Sequence, residues 1–133
     1  MDASLRSLVV ERSAGHCEYC QIPQRFFTEL FQIEHIVARQ HRGMTVESNL
    51  AIAFSRCNLH KGPNLAGIDP LSEVLIRLFN PRIDIWPEHF QQVLSGEIVG
   101  KSAIGRTTAY VLDMNDPRRV ELRAAIIALG EHA

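Results

Sequence analysis

Four groups of residues between positions 17 and 62 have side chains that could do chemistry. In chain order they are Cys17-x-x-Cys20, Glu34-His35-Ile36, Asn49-Leu50, and Cys57-Asn58 followed by Lys61-Gly62. Cysteine thiolates bind zinc, an imidazole titrates near neutral pH, and carboxylate and amide oxygens suit hard cations. Each group alone has a simpler explanation, since a histidine in an apolar strand is usually structural and an asparagine before a strand usually forms a turn. Their order along the chain therefore carries the interpretation.

The cysteine count bears on the cellular compartment and on the C-x-x-C pair. Three cysteines are an odd number, and the N-terminus has no secretory signal, so the sequence disfavours a disulfide framework and predicts a cytoplasmic protein. Cys17-x-x-Cys20 is then either a redox pair or half of a zinc site. A redox pair normally opens a helix directly after a strand. Here the pair follows a predicted helix, so the pattern favours metal.

Hydrophobic spacing and turn residues predict the elements that must position these groups. Asp2 is a suitable N-cap for a helix, and Gly15 suits its left-handed end. The predicted order is a helix over 3–14, a tight knuckle over 16–21, a strand over 26–37, a loop over 39–48, a strand over 49–54 and a helix over 56–61. Ser55 is the expected N-cap of that last helix, and Gly62-Pro63 ends it. The stretch 26–62 is therefore predicted to be strand, loop, strand, helix.

The second half of the chain carries weaker signals. Residues 71–78 have helical spacing, 83–90 are ambiguous, and the glycines and β-branched residues of 96–105 suggest a hairpin. Residues 107–114 are predicted to be helical, and Asp116-Pro117 begins a last helix with an apolar stripe. We find no internal repeat.

The four groups in this order resemble the HNH nuclease family, which has the ββα-metal fold, in its zinc-knuckle branch. That family's pattern is C-x-x-C, an acidic residue followed by His and Ile, Asn-Leu, and then C-x-x-C-N with a Lys. This chain supplies CEYC, EHI, NL and CNLHKG over about residues 16–64. The resemblance implies an α+β fold, with a ββα-metal core, a helical N-terminus and a C-terminal helix and hairpin extension. We expect the core over 1–66 and the extension, which looks like the tail of some bacterial members, over 67–133 packed on the core.

The resemblance also implies metal-dependent hydrolysis of DNA phosphodiester bonds. His35 matches the general base that activates water, and Glu34 and Asn58 match the ligands of one divalent cation, Mg²⁺ or Mn²⁺. Asn49 matches the residue that ties the loop and orients the histidine. Neighbouring side chains of an ideal strand point to opposite faces. Glu34 and His35 therefore converge on one ion only if the strand ends or twists there.

The chain departs from the family at the zinc site. Cys17, Cys20 and Cys57 are present, but Phe54 occupies the position of the fourth cysteine. His60 lies one helical turn after Cys57 and could complete the set of four ligands; His16 is a second candidate. In the alternative, zinc is lost and Phe54 fills the space by apolar packing.

The net charge of the chain limits which nucleic-acid-binding functions it could have. The 133 residues carry a net charge of −1 and are 46% hydrophobic, which excludes a strongly basic protein that coats nucleic acid. Residues 1–66 hold seven basic and six acidic side chains, and the basic ones concentrate near the motifs. We expect Arg39, Arg56 and Lys61 to approach a DNA backbone. No apolar run is long enough to span a membrane.

Two further classes of function fit the same residues. The first is a catalytically drifted HNH-fold module that binds nucleic acid or another protein. The second is a zinc-knuckle adaptor for other proteins. Nicking of plasmid DNA, DNA binding and metal content separate these alternatives from the nuclease.

Overall fold

The computed structural model describes residues 1–130, so the last three residues of the predicted extension 67–133 lie outside the described residues. The described part is a mixed α/β fold with small antiparallel sheets, which confirms the predicted α+β class. The helices are α1 Ala3–Arg12, α2 Ser55–Lys61, α3 Trp86–His89, α4 Ala103–Val111 and α5 Pro117–Ala128. The strands are β1 Gln32–His35, β2 Leu50–Ala53, β3 Ala66–Ile68, β4 Leu75–Arg77, β5 Phe90–Gln92 and β6 Ile98–Gly100.

Helix α1 begins where the sequence predicts. The Asp2 carboxylate accepts a hydrogen bond from the Leu5 amide at 2.8 Å, a cap that contributes about 1 kcal/mol. The helix ends at Arg12, two residues before the predicted end, and Gly15 adopts the expected left-handed conformation with φ of 77°. Val9 is fully buried in a small cluster with Leu50 and Ile52, so α1 covers one face of the first hairpin.

Strands β1 and β2 form an antiparallel hairpin in which His35 pairs with Leu50 and Gln32 pairs with Ala53. Strand β1 has four residues, so the predicted strand over 26–37 is too long. Its first part leaves the ladder because the Phe27 and Phe31 rings pack on Phe54, with centroids 5.1 and 5.6 Å away. Aromatic residues that suggest a strand therefore serve as core here.

Helix α2 follows β2 directly and completes the predicted strand, loop, strand, helix order. It begins at Ser55, with Phe54 in the N-cap position and no side-chain cap, so the prediction of Ser55 as N-cap is wrong by one residue. It ends at Gly62, whose φ is 50°. Cys57 and Lys61 are the buried residues of α2.

The predicted helix over 71–78 is wrong, because this segment contains β4, which pairs with β3. Asp69 forms the turn that makes the hairpin: its carboxylate accepts hydrogen bonds from the Leu71 amide at 3.0 Å and the Ser72 hydroxyl at 2.9 Å. The predicted hairpin over 96–105 is displaced, since β5 and β6 pair around a turn at Gly96. Helix α4 begins four residues before the predicted 107, and α5 begins at Pro117 as predicted.

One cluster of buried residues joins the two predicted parts of the chain. It includes Cys17, Tyr19, Ile36 and Phe54 from the first part, and from the second part Leu78, Phe79, Phe90, Ile98, Leu112, Met114 and Ile126. The extension therefore supplies a large share of the core that surrounds the cysteines. Within residues 1–130, no helix has the length and apolar character that crossing a membrane requires.

Candidate active site and cysteine cluster

His35 is the last residue of β1 and is half-buried. Its Nε2 atom lies 2.8 Å from the Thr45 hydroxyl, which belongs to the loop between β1 and β2. Partial burial, together with the positive charge of Arg39, lowers the pKa of His35 below its usual value. The imidazole is therefore neutral near pH 7, as a general base must be. Thr45 was missed by the sequence motifs, because it belongs to none of them.

Asn49 closes the loop between β1 and β2. Its side-chain oxygen accepts a hydrogen bond from the Val37 amide at 2.9 Å, and its side-chain nitrogen donates to the carbonyls of Val37 and Met44 at 3.0 and 2.9 Å. Gly43 lies against this bridge, and a Cβ there would meet the Val37 carbonyl oxygen at 1.7 Å. The geometry agrees with the expected loop tie. The orientation of His35 by Asn49 stays a prediction, whereas Thr45 contacts the imidazole directly.

Glu34 lies on the opposite face of β1 from His35, as a regular strand requires. It is 5% exposed, and its carboxylate accepts a hydrogen bond from the Tyr19 hydroxyl and lies 3.5 Å from the Lys61 ammonium. Burial raises the pKa of the Glu34 carboxyl, and Lys61 and Tyr19 oppose that shift. Both carboxylate oxygens of the expected metal ligand thus have protein partners.

Asn58, on helix α2, contacts the face of β1 that carries Glu34. Its side-chain nitrogen donates a hydrogen bond to the Gln32 side-chain oxygen, and Gln32 shares its strand face with Glu34. Gln32 is a second residue that the motifs missed; its position two residues before Glu34 is the only signal for it. Asn58 thus contacts β1 two residues from Glu34 in sequence, and the structure shows no direct hydrogen bond between Asn58 and Glu34 among the described residues.

The side chains of the candidate site fit a catalytic Mg²⁺ only in part. Oxygen donors are present on β1 and α2, but the Glu34 carboxylate must give up a contact with Tyr19 or Lys61 before it can bind an ion. Among residues 1–130, the cysteines form the one group of three or more Cys, His, Asp or Glu side chains close enough to hold a metal. Glu34 and Asn58 as metal ligands stay a prediction.

The basic residues that the sequence assigns to DNA contact have different environments. Arg39 and Arg56 are exposed, and Arg39 lies near His35. Lys61 is only 2% exposed, and its ammonium donates to the Ile36 carbonyl at 2.9 Å as well as pairing with Glu34. A lysine held this way does not reach a DNA phosphate, contrary to the prediction.

Cys17, Cys20 and Cys57 form a compact, fully buried cluster in which the three Sγ atoms lie within 4.8 Å of one another. The backbone amides of Tyr19 and Cys20 point at Cys17 Sγ from 3.4 and 3.5 Å. Burial raises the pKa of the Cys17 thiol to about 12 in the absence of metal. Three thiolates at this spacing fit three of the four positions of a tetrahedral zinc site.

Neither His60 nor His16 lies within the cysteine cluster in this structure. The His60 Nε2 atom lies 4.0 Å from the Asp113 carboxylate and is not part of the cysteine cluster, contrary to the hypothesis of a Cys₃His set. The His16 ring instead bonds the Ala14 carbonyl at 2.9 Å. Phe54 packs with its aromatic neighbours, which is the part of the zinc-free alternative that the structure supports.

Comparison with known proteins gives one match. The family model described as HNH endonuclease matches residues 17–64, less than half of the chain, and this segment contains every motif discussed above. No curated protein and no solved structure matches the chain. The matched segment, together with the cysteine cluster, is consistent with the zinc-knuckle branch.

Proposed function

We propose that residues 17–64, which match the HNH endonuclease family model, form an HNH nuclease domain, and that the protein is a metal-dependent nuclease that hydrolyses DNA phosphodiester bonds. The observation that carries the proposal is the position of His35. Its imidazole stands at the end of β1, bonded by Thr45 on one nitrogen, beside a loop that Asn49 closes. A neutral imidazole fixed in this way is suited to accept a proton from water.

The remaining residues have supporting roles in the proposal. Asn58 and Glu34 hold a divalent cation, Mg²⁺ or Mn²⁺, after Glu34 exchanges one of its present partners. When bound, the cation supplies positive charge to the phosphate and to the leaving 3′ oxygen. Arg39, exposed near His35, and Arg56, exposed on α2, contact the DNA backbone.

The cellular setting of the proposed activity follows from the cysteines. All three are free and buried. Free thiols at this spacing persist in a reducing compartment, so we place the nuclease in the cytoplasm.

Incubation of the purified protein with supercoiled plasmid tests the proposal. We expect nicked and linear DNA to accumulate when Mg²⁺ or Mn²⁺ is present, no cleavage in excess chelator, and recovery when either ion is added back. A contaminating nuclease is controlled by a parallel preparation of His35→Ala. Full cleavage in excess chelator, or no cleavage with either ion, would contradict the proposal.

A specific observation favours a second candidate, a module that has kept the ββα scaffold and lost catalysis. The Glu34 carboxylate is engaged by Tyr19 and Lys61 and is nearly inaccessible. If these contacts persist on DNA, no acidic ligand is available for the ion. Such a protein would bind DNA in a gel-shift assay without nicking it. A protein that bound zinc but neither bound nor cut DNA would instead be an adaptor.

A further inference from the structure

Arg119, in the first turn of α5, is buried against the cysteine cluster. It is 6% exposed, and its guanidinium donates to the carbonyls of Leu112 and Asp113 at 2.5 and 2.9 Å. Its other terminal nitrogen, Nη2, lies 2.9 Å from Cys57 Sγ. Within residues 1–130, no carboxylate forms an ion pair with Arg119.

A buried cation without a carboxylate is costly unless another anion balances it. The cysteine cluster is the group in contact that can carry negative charge. Three thiolates around a divalent ion have a net charge of −1, and one guanidinium brings the sum to zero. A four-cysteine site with the same ion would carry −2. The charge of the Arg119 side chain therefore matches a cluster of three thiolates with a bound divalent cation.

The residue at the expected fourth-ligand position contacts the same guanidinium. The Arg119 Cζ atom lies 5.8 Å from the centre of the Phe54 ring. The face of an aromatic ring attracts a cation at this distance. Arg119 therefore contacts both a cysteine of the cluster and the residue that stands where the family pattern has its fourth cysteine.

The zinc-knuckle resemblance implies one thiophilic divalent cation on Cys17, Cys20 and Cys57, and we propose that Arg119 is the built-in counter-ion of this site, which balances the net charge of the three thiolates and the ion. The assignment does not rest on nuclease activity. It also links the two parts of the chain, since Arg119 belongs to the extension and the cysteines to the HNH domain. Metal binding and docking of α5 must then favour each other by the same free energy.

Metal titration of the reduced, metal-free, full-length protein tests this proposal with Cd²⁺ and Zn²⁺ as probes. Cd²⁺ is followed by ultraviolet thiolate-to-metal charge transfer, and Zn²⁺ by competition with a chromophoric chelator. We expect one ion per chain. Arg119→Met should weaken binding about 10- to 100-fold, the usual loss for a residue that contacts a metal ligand, and Arg119→Lys should weaken it less because it keeps the charge.

Arg123→Met is the matched control for the loss of a buried arginine. Arg123 lies one turn further along α5 and is fully buried, but its guanidinium donates to the carbonyls of Gly96 and Met114 and has no bond to a cysteine. This variant should bind metal with nearly wild-type affinity. Equal affinity of wild type and Arg119→Met, or no binding of either ion by the reduced wild type, would overturn the proposal.

Phe54→Cys provides a second test that does not require loss of a buried arginine. A thiolate there should occupy the fourth position, increase the Cd²⁺ charge-transfer absorbance and tighten Zn²⁺ binding. Unchanged absorbance would show that position 54 does not border the ion and would contradict the assignment. If circular dichroism shows Arg119→Met to be unfolded, the Arg119→Lys and Phe54→Cys titrations decide.

Discussion

Thr45 is the residue that fixes the imidazole of His35. Its hydroxyl is exposed in the loop between β1 and β2, and the 2.8 Å contact with Nε2 is the hydrogen bond that the structure records for the imidazole. In the proposed mechanism, a ring held at Nε2 leaves the other nitrogen, Nδ1, to accept the proton of the attacking water. The residue thus acts through His35, as a positioning residue.

We expect Thr45→Ala to lower the cleavage turnover about tenfold, because one hydrogen bond contributes on the order of 1 kcal/mol to holding the base in place. Thr45→Ser keeps the hydroxyl and should retain most of the rate. Steady-state kinetics on a short duplex check this, with KM for DNA unchanged. A Thr45→Ala protein as fast as wild type would exclude the positioning role.

Lys61 and Glu34 form a buried ion pair that is part of the fold as well as of the candidate site. Their side chains are 2% and 4% exposed. Removing one member of such a pair leaves an uncompensated charge, which costs about 3–5 kcal/mol. Lys61→Met should therefore lower the free energy of unfolding by this amount in urea titration.

The double variant Glu34→Gln with Lys61→Met is the control for that prediction. It removes both charges and retains an acceptor for the Tyr19 hydroxyl, so we expect it to recover much of the lost stability. If the single and double variants were equally unstable, loss of packing rather than an unpaired carboxylate would explain the effect.

The β3–β4 hairpin is held to helix α4 by Asp69. Arg106 of α4 donates to its two carboxylate oxygens at 3.1 and 2.9 Å, in addition to the turn bonds from Leu71 and Ser72. These hydrogen bonds, with that from Arg106 the strongest, hold the pKa of the Asp69 carboxyl well below its usual range. The contact spans 37 residues of sequence.

The depressed pKa of Asp69 predicts a loss of stability in acid. The contribution is fully present above the unfolded pKa of about 3.9 and is lost as pH falls through the lower pKa of the folded state. Asp69→Asn should flatten the decline of unfolding free energy below about pH 4. Glu88→Gln, which alters an exposed carboxylate, is the control. If Asp69→Asn lost stability below about pH 4 as steeply as the wild type, Asp69 would not be the source of the acid sensitivity.

The elements around the motifs could be predicted because their signals are local. Asp2, Gly15 and Gly62 mark helix ends, and Leu50 and Ile52 mark β2. The segment 71–78 could not be predicted, because its helical spacing is misleading: Leu71 and Leu75 are 73% and 67% exposed. The turn at Asp69 and its long-range contact with Arg106 decide that conformation instead.

In the candidate site, too, the sequence predicts the features with local signals and not the long-range contacts. The motifs single out His35, Asn49, Asn58 and the three cysteines by residue type and order, and the structure brings the cysteines together as the motifs suggest. They could not show that Glu34 contacts Tyr19 and Lys61, or that Arg119 reaches Cys57 from 62 residues away. These contacts depend on how the extension and the knuckle pack together.

The part of the chain that contains the HNH-matched segment and the described part of the extension share one hydrophobic core, so neither buries its apolar residues alone. Polar contacts also join them: Trp86 donates to the Tyr19 carbonyl at 2.7 Å, and Arg82 pairs with Glu18. Arg119 in addition donates a hydrogen bond to Cys57. We expect a fragment of residues 1–66 to lack a cooperative thermal transition, because it exposes Tyr19 and its neighbours to water. Cooperative unfolding of this fragment at the full-length midpoint would contradict a shared core.

The distribution of charge over the molecule limits how it meets DNA. The net charge is −1, and Lys61 is neutralised by Glu34 inside the protein. Arg39 and Arg56 remain exposed near the candidate site, so if the protein binds DNA as proposed, it neutralises few phosphates and the salt dependence of binding should be shallow. The divalent cation of the proposed mechanism would add positive charge at the scissile phosphate itself.

The most direct test of the nuclease proposal compares wild type with His35→Ala in a plasmid-nicking assay with Mg²⁺. His35 is half-buried at the end of β1, so the substitution should leave the circular dichroism spectrum and metal content unchanged. We expect the wild type to convert supercoiled plasmid to nicked DNA and the variant to lose at least about 100-fold of that rate. Cleavage by His35→Ala at the wild-type rate would contradict the assignment of His35 as the general base.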